Sequence, residues 1–150
     1  MSEASLDDML DLASGLAREA VAVSLGRLDD ATAERKADNS LVTETDHAIQ
    51  ALILDAVAGA YPDHAVLAEE TLVSPEHHAD RGTARYCWVV DPLDGTRNYA
   101  AKFPCCSTSI AVLDGGVPVV GVVVEHHTGR LYAGACGRGV TLDGRAVRVA

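Results

Sequence analysis

The sequence predicts an α+β fold in which two N-terminal helices pack on a mainly antiparallel sheet. Helical periodicity is confined to the N-terminal part of the chain. From Ala65 onward, short apolar runs recur between Gly- and Asp-rich turns. Helices followed by a run of strands, without strand–helix alternation, argue against a parallel α/β sheet.

The first helix is expected over Ser5–Leu25. Ser5 and Asp8 form a capping-box-like start, and Leu6, Met9, Ala13, Leu16, Ala17, Ala20 and Val23 recur at helical spacing. Gly26 supplies a stop. A polar connector with no strand pattern follows, from Arg27 to Ser40. The second helix starts near Thr43, carries Ile49, Leu52, Ile53, Ala56, Val57 and Ala60 on one face, and ends at Tyr61-Pro62-Asp63.

Strands are expected at Ala65–Ala68, Tyr86–Val90, Ser107–Leu113, Val117–Glu125, Arg130–Ala135, Val140–Leu142 and Val147–Val149. Asp114-Gly115-Gly116, His127-Thr128-Gly129 and Asp143-Gly144 are hairpin-like turns between them. Ser74–Arg85 is polar, carries two histidines and reads as a mobile loop.

Composition bounds the function. The chain has 150 residues, 48% of them hydrophobic and 23% charged, which suits one globular domain with its own core. Acidic residues outnumber basic ones 22 to 12, for a net charge of −10, which repels nucleic acid and anionic membrane. The N-terminus has neither a basic nor an apolar signal region, and the strongly apolar run Val117–Val124 is far short of the roughly 20 residues that span a bilayer. The chain reads as cytoplasmic. Cys87, Cys105, Cys106 and Cys136 lack C-x-x-C spacing and read as small buried hydrophobes in a reducing compartment. Glu76-His77-His78 and Glu125-His126-His127 sit at loops and read as surface histidines rather than a shared metal site.

The stretch Trp88-Val89-Val90-Asp91-Pro92-Leu93-Asp94-Gly95-Thr96 carries the chemistry. Proline bars a ladder hydrogen bond, so strand pairing is expected to end at Asp91. The Asp91 carboxylate, the Leu93 carbonyl and the Asp94 carboxylate can then converge on one point, with Gly95 permitting a tight path and Thr96 opening a short helix through Asn98 and Tyr99. Such oxygens suit Mg²⁺, and free N–H groups at a helix start suit a phosphate. Alone, D-x-x-D-G is also a common surface turn. Its company is Glu69-Glu70, which follows the short strand Ala65–Ala68, and Thr43 with Asp46 at the second helix start. Each has a plainer reading: a solvated strand end for the first, a capping box for the second.

Leu41–Asp46 (LVTETD), Ala68–Glu70 (AEE) and Trp88–Tyr99 (WVVDPLDGTRNY), followed by Gly129–Arg145, together resemble the inositol monophosphatase family of metal-dependent sugar-phosphate phosphatases. The similarity covers nearly the whole chain and implies the N-terminal half of that family's layered fold. By that resemblance Glu69 binds one metal and positions the attacking water, Asp91 bridges two Mg²⁺ ions, the Leu93 carbonyl binds the first and Asp94 the second. Gly95 and Thr96 offer N–H groups to the phosphate beside Asp94, the Thr96 hydroxyl polarises the water, and Asp46 supports Thr96. Lys36 falls near a lysine that lies close to the metal site in relatives. The complete enzyme is expected to use two or three Mg²⁺ ions; a pair about 4 Å apart can ionise a water and offset the charge of a phosphate monoester. Inositol monophosphate, histidinol phosphate, fructose bisphosphate and phosphoadenosine-type nucleotides are the substrates of similar enzymes.

The sequence departs from the family in three places. Ala68 and Lys102 stand where relatives often have glycine, which is expected to crowd or retune the pocket. The third departure is length: residues 1–150 read as an N-terminal metal-binding domain whose C-terminal half is absent. That expectation includes weak activity alone and self-association, as a dimer, through the interface the second half would cover. The alternative reading is a non-catalytic metal-binding or assembly module that associates with a partner chain.

Overall fold

The computed structural model describes residues 5–35, 41–68 and 84–148. The expected α+β architecture is present. Helix α1 (Leu6–Arg27) opens on Ser5, whose hydroxyl accepts from the Asp8 backbone N–H at 3.0 Å and donates to the Asp8 carboxylate at 2.7 Å. Asp7 and Asp8 in the first turn complement the positive end of the helix dipole. Gly26 does not stop this helix. It runs on to Arg27 and closes with Leu28 N–H donating to the Leu25 carbonyl, since one exposed glycine near a helix end costs only about 1 kcal/mol.

The connector after α1 contains a strand that its polar sequence conceals. Strand β1 (Ala33–Arg35) pairs antiparallel with β2 (Leu41–Thr43), Glu34 opposite Val42. All three β1 side chains are exposed, so no alternation marks it. Helix α2 (Glu44–Ala60) follows, with Thr43 as its N-cap; Tyr61 ends it by donating to the Val57 carbonyl at 2.7 Å.

The main sheet has seven strands in sequence order: β3 (Ala65–Ala68), β4 (Tyr86–Asp94), β5 (Ser107–Asp114), β6 (Val117–Glu125), β7 (Leu131–Ala135), β8 (Gly139–Leu142) and β9 (Arg145–Val147). Only β3 and β4 run parallel, with Ala68 beside Val90; every other neighbouring pair in this sheet is antiparallel. Asp143 and Gly144, both left-handed, make the two-residue turn between β8 and β9, as their sequence anticipates.

Both helices cover one face of this sheet. Met9, Ala13, Leu16, Ala17 and Ala20 of α1 and Ile49, Ile53 and Val57 of α2 meet Trp88 and Val90, Ile110 and Val112, and Val120, Val122 and Val124 in one core. Strand alternation turns Val123 of β6 and Tyr132 of β7 outward, where both are exposed. No helix among the described residues is long and apolar enough to cross a membrane.

Two expectations about side chains are corrected. None of the four cysteines is buried: Cys105 and Cys136 lie exposed, Cys87 and Cys106 half-buried, and none is in a disulfide. Of the neighbouring pair His126 and His127, His127 is exposed but His126 is only 1% exposed. His126 is in phase with Val120, Val122 and Val124, so the alternation of β6 carries it inward, a signal already present in the sequence. Glu76, His77, His78 and most of the Ser74–Arg85 segment lie outside the described residues.

Candidate active site

Strand β4 does not end at Asp91. Asp91 pairs with Ser109 and Asp94 with Ser107, so Pro92 and Leu93 stand against Thr108 alone. This two-against-one mismatch is a β-bulge, where a proline's missing N–H costs no ladder bond, and pairing resumes beyond it. Thr108 Oγ1 donates to the Pro92 carbonyl at 2.7 Å, and Leu93 N–H donates to Asp91 Oδ1 at 3.2 Å. The Leu93 side chain is buried, which anchors the bulge and fixes its carbonyl.

Gly95 then takes a left-handed conformation (φ 85°, ψ 31°) and caps the short helix α3 (Thr96–Ala100). A side chain here would also collide: an added Cβ would lie 2.7 Å from the Cys105 carbonyl. Asn98 Nδ2 donates to that same carbonyl at 2.8 Å, folding the loop after α3 back over the turn.

Thr96 is held from two sides. Its hydroxyl faces the Asp46 carboxylate at 2.9 Å and the Leu93 carbonyl at 3.0 Å, donating to both. Asp46 is only 1% exposed and also accepts from the Thr43 backbone N–H at 2.8 Å and from the Thr43 hydroxyl, completing a capping box at the start of α2. One carboxylate therefore caps a helix and orients a hydroxyl.

Tyr99 ties the same corner to α1, a link that sequence reasoning missed. Its hydroxyl donates to the Ser24 carbonyl at 2.6 Å and lies 3.2 Å from Thr45 Oγ1, so Thr45 is the donor in that second contact. Burial pushes the Tyr99 phenol up from its ordinary value. Thr108 and His126 form a second missed pair, with Thr108 Oγ1 2.8 Å from His126 Nε2.

The expected site residues thus separate into groups. Asp46, the Leu93 carbonyl and Thr96 are joined by hydrogen bonds, and Asp91 adjoins them through the Leu93 N–H. Asp94 is exposed and Gly95 sits at the turn between them. Glu69, Glu70 and Lys36 lie outside the described residues; Ala68, the last residue of β3, pairs with Val90, the residue before Asp91. Among the described residues no three His, Cys, Asp or Glu side chains form a metal-sized group. The donors at the bulge are nonetheless all of one kind: two carboxylates and a carbonyl fit a hard cation, with no imidazole or thiol among them.

The two glycine departures also find their places. Ala68 is buried as part of the hydrophobic core. Lys102 adopts a left-handed backbone (φ 57°), the conformation that favours glycine, and its ammonium donates to the Asp29 carbonyl at 3.2 Å.

A fold of two capped helices on a bulged antiparallel sheet, with carboxylates at the bulge, defines a class that comparison makes specific. The chain belongs to the inositol monophosphatase family, which it matches over residues 5–150. It is 37% identical over 116 residues to an inositol-1-monophosphatase of Synechocystis, covering 77% of this chain and 39% of that protein. It is 35% identical over 143 residues to the Nus factor SuhB of Salmonella typhimurium, covering 93% of this chain and 52% of that one. Among solved structures, the inositol monophosphatase of Anabaena superposes with a TM-score of 0.79 at 35% identity, over 97% of this chain and 50% of that one. The Thermotoga maritima enzyme superposes with a TM-score of 0.84 at 28% identity, over 95% and 54%. The chain therefore spans about half the length of these relatives, or less.

Proposed function

We propose that this chain carries the metal-binding and water-activating part of a magnesium-dependent phosphoric monoester hydrolase acting on inositol monophosphate or a related sugar or alcohol phosphate. The observation that carries this reading is the double hydrogen bond of Thr96 to Asp46 and the Leu93 carbonyl. A hydroxyl has one proton and two lone pairs. With that one proton shared between Asp46 and Leu93, the Thr96 oxygen turns its lone pairs outward, able to accept a hydrogen bond from a water placed beside it and so to orient and polarise that water. Asp46 keeps the hydroxyl in that orientation, and its own place is secured by the capping box.

In the same reading Asp91, Asp94, the Leu93 carbonyl and Glu69 hold Mg²⁺. Magnesium, when bound, ionises the water and offsets the phosphate charge. The N–H groups of Gly95 and Thr96, at the start of α3, orient the phosphate oxygens. The reading extends to a cytoplasmic, dimeric protein. The test is phosphate release from inositol monophosphate with Mg²⁺, using the full-length protein and its Asp91→Asn variant. A loss of at least about a hundredfold is expected, and undiminished activity in the variant would end the metal-assisted mechanism.

A second reading, a non-catalytic assembly module, is favoured by the exposed Leu67, Val123, Tyr132 and Val140 and by the similarity to a Nus factor. It expects a stable complex with a partner chain and no phosphate release from any sugar phosphate.

A further inference from the structure

The bulge of β4 leaves one peptide outside the regular ladder. Pro92 and Leu93 stand together against Thr108, and the peptide that joins them is trans, so its carbonyl and its N–H point in opposite directions. Both edges are held. Thr108 Oγ1 donates to the Pro92 carbonyl at 2.7 Å on one side. On the other, Leu93 N–H donates to Asp91 Oδ1 at 3.2 Å. The plane of this single peptide therefore couples the Thr108 hydroxyl to the Asp91 carboxylate.

The hydroxyl is fixed in its turn. Its one proton is committed to a carbonyl, which can only accept. The 2.8 Å contact between Thr108 Oγ1 and His126 Nε2 must then be an Nε2–H donation. His126 is anchored by its backbone N–H, which donates to the Cys106 carbonyl at 3.1 Å, two residues before Thr108. Every donation runs the same way, from His126 through Thr108 and the Pro92–Leu93 peptide to Asp91, and hydrogen bonds so aligned polarise one another.

Both residues are buried at core-facing positions, Thr108 in phase with Ile110 and Val112, and His126 in phase with Val122 and Val124. Apolar side chains would fill those positions with no polar group to satisfy. Burying a hydroxyl and an imidazole is unfavourable without full pairing, and His126 Nδ1 has no hydrogen-bond partner. Core packing therefore does not account for the pair. What it holds does.

We propose, resting on the reading above in which Asp91 holds Mg²⁺, that Thr108 and His126 are positioning residues for that carboxylate. An aspartate can occupy several rotamers. The Leu93 N–H selects among them, and it is aimed only as well as its peptide is held by Thr108.

Calorimetric titration of Mg²⁺ into the full-length protein tests the assignment, read beside the urea midpoint of each variant. Thr108→Val keeps the shape and removes the hydroxyl. Its Mg²⁺ affinity is expected to fall about tenfold, as loss of an outer hydrogen-bond partner does at metal sites. Thr108→Ser restores the hydroxyl and is expected to restore the affinity. His126→Gln can still donate from Nε2 and is expected to bind Mg²⁺ as the wild type does, whereas His126→Phe binds it more weakly. The His126 pair carries the test if Thr108→Val does not fold. A purely structural role would lower the urea midpoints of Thr108→Val and His126→Phe and leave Mg²⁺ affinity at the wild-type value, which would overturn the proposal. Asp91→Ala is titrated alongside. Undiminished affinity there would overturn the reading of Asp91 as a ligand and the proposal with it. A weakened Asp91→Ala beside wild-type affinity in Thr108→Val would remove the proposal alone.

Discussion

The Thr96 hydroxyl donates to the Asp46 carboxylate at 2.9 Å across 50 positions of chain, joining the start of α3 to the start of α2. Each residue occupies the first turn of its helix, so the bond sets the relative placement of two helix N-termini and of the bulge near the end of β4. Thr96→Val keeps the β-branched shape and removes the donor. If the hydroxyl acts on the attacking water, kcat for phosphate release falls about a hundredfold or more while KM changes little. A proportional rise in KM with kcat unchanged would assign Thr96 to binding instead. Asp46→Ala removes the acceptors of both the Thr96 bond and the cap at once, so it is expected to cost about 1–3 kcal/mol of stability in urea as well as activity.

Gly95 makes a stricter demand on the same turn. Its φ of 85° suits glycine, and an added methyl would stand 2.7 Å from the Cys105 carbonyl, a backbone atom that Asn98 also holds. Strain and collision add. Gly95→Ala is expected to lose about 2 kcal/mol or more, read as a lower urea midpoint with an unchanged slope. A midpoint within error of the wild type would mean that the loop after α3 yields freely.

Lys102 presents the reverse case. A lysine at φ 57° pays about 1–2 kcal/mol for the left-handed backbone, and its exposed contact with the Asp29 carbonyl returns little. Lys102→Gly removes the strain at an entropic cost of about 0.5–1 kcal/mol in the unfolded chain. A net gain of about 0.5 kcal/mol is expected in the urea midpoint, and a loss would show that the lysine's contacts outweigh its backbone.

What the sequence disclosed followed the range of the interactions involved. The capping box of Thr43 and Asp46 was legible because both partners lie within one helical turn. Strand β3 was legible to the residue because Ala65–Ala68 is a short apolar run between polar neighbours. The bulge was not: Pro92 announces that a ladder bond is missing, but whether pairing resumes depends on Ser107 and Thr108 of another strand. The bond from Thr96 to Asp46 has no local signal, and only resemblance to a family proposed the pairing. His126 was misjudged because its neighbour His127 and the turn residues after it look alike as polar sequence. The inward phase of Val120, Val122 and Val124 decided the matter.

That buried imidazole makes stability depend on pH. Burial holds His126 down at about 4, from an ordinary value of 6.5. Between those values the unfolded chain takes up a proton that the native state refuses, so stability is fully present above pH 6.5 and is lost as pH falls towards about 4. The gap between the two corresponds to about 3 kcal/mol. His64, which accepts from the Trp88 indole N–H at 3.1 Å and is also held below its ordinary value by burial, adds to the loss in the same direction. His126→Phe removes one of these two contributions and leaves the other. Urea unfolding at pH 7 and pH 4 is expected to show the wild type losing about 3 kcal/mol more than the variant over that interval. Equal losses in the two proteins would mean that His126 charges without disturbing its bond to Thr108, and that the buried neutral ring is not what acid attacks.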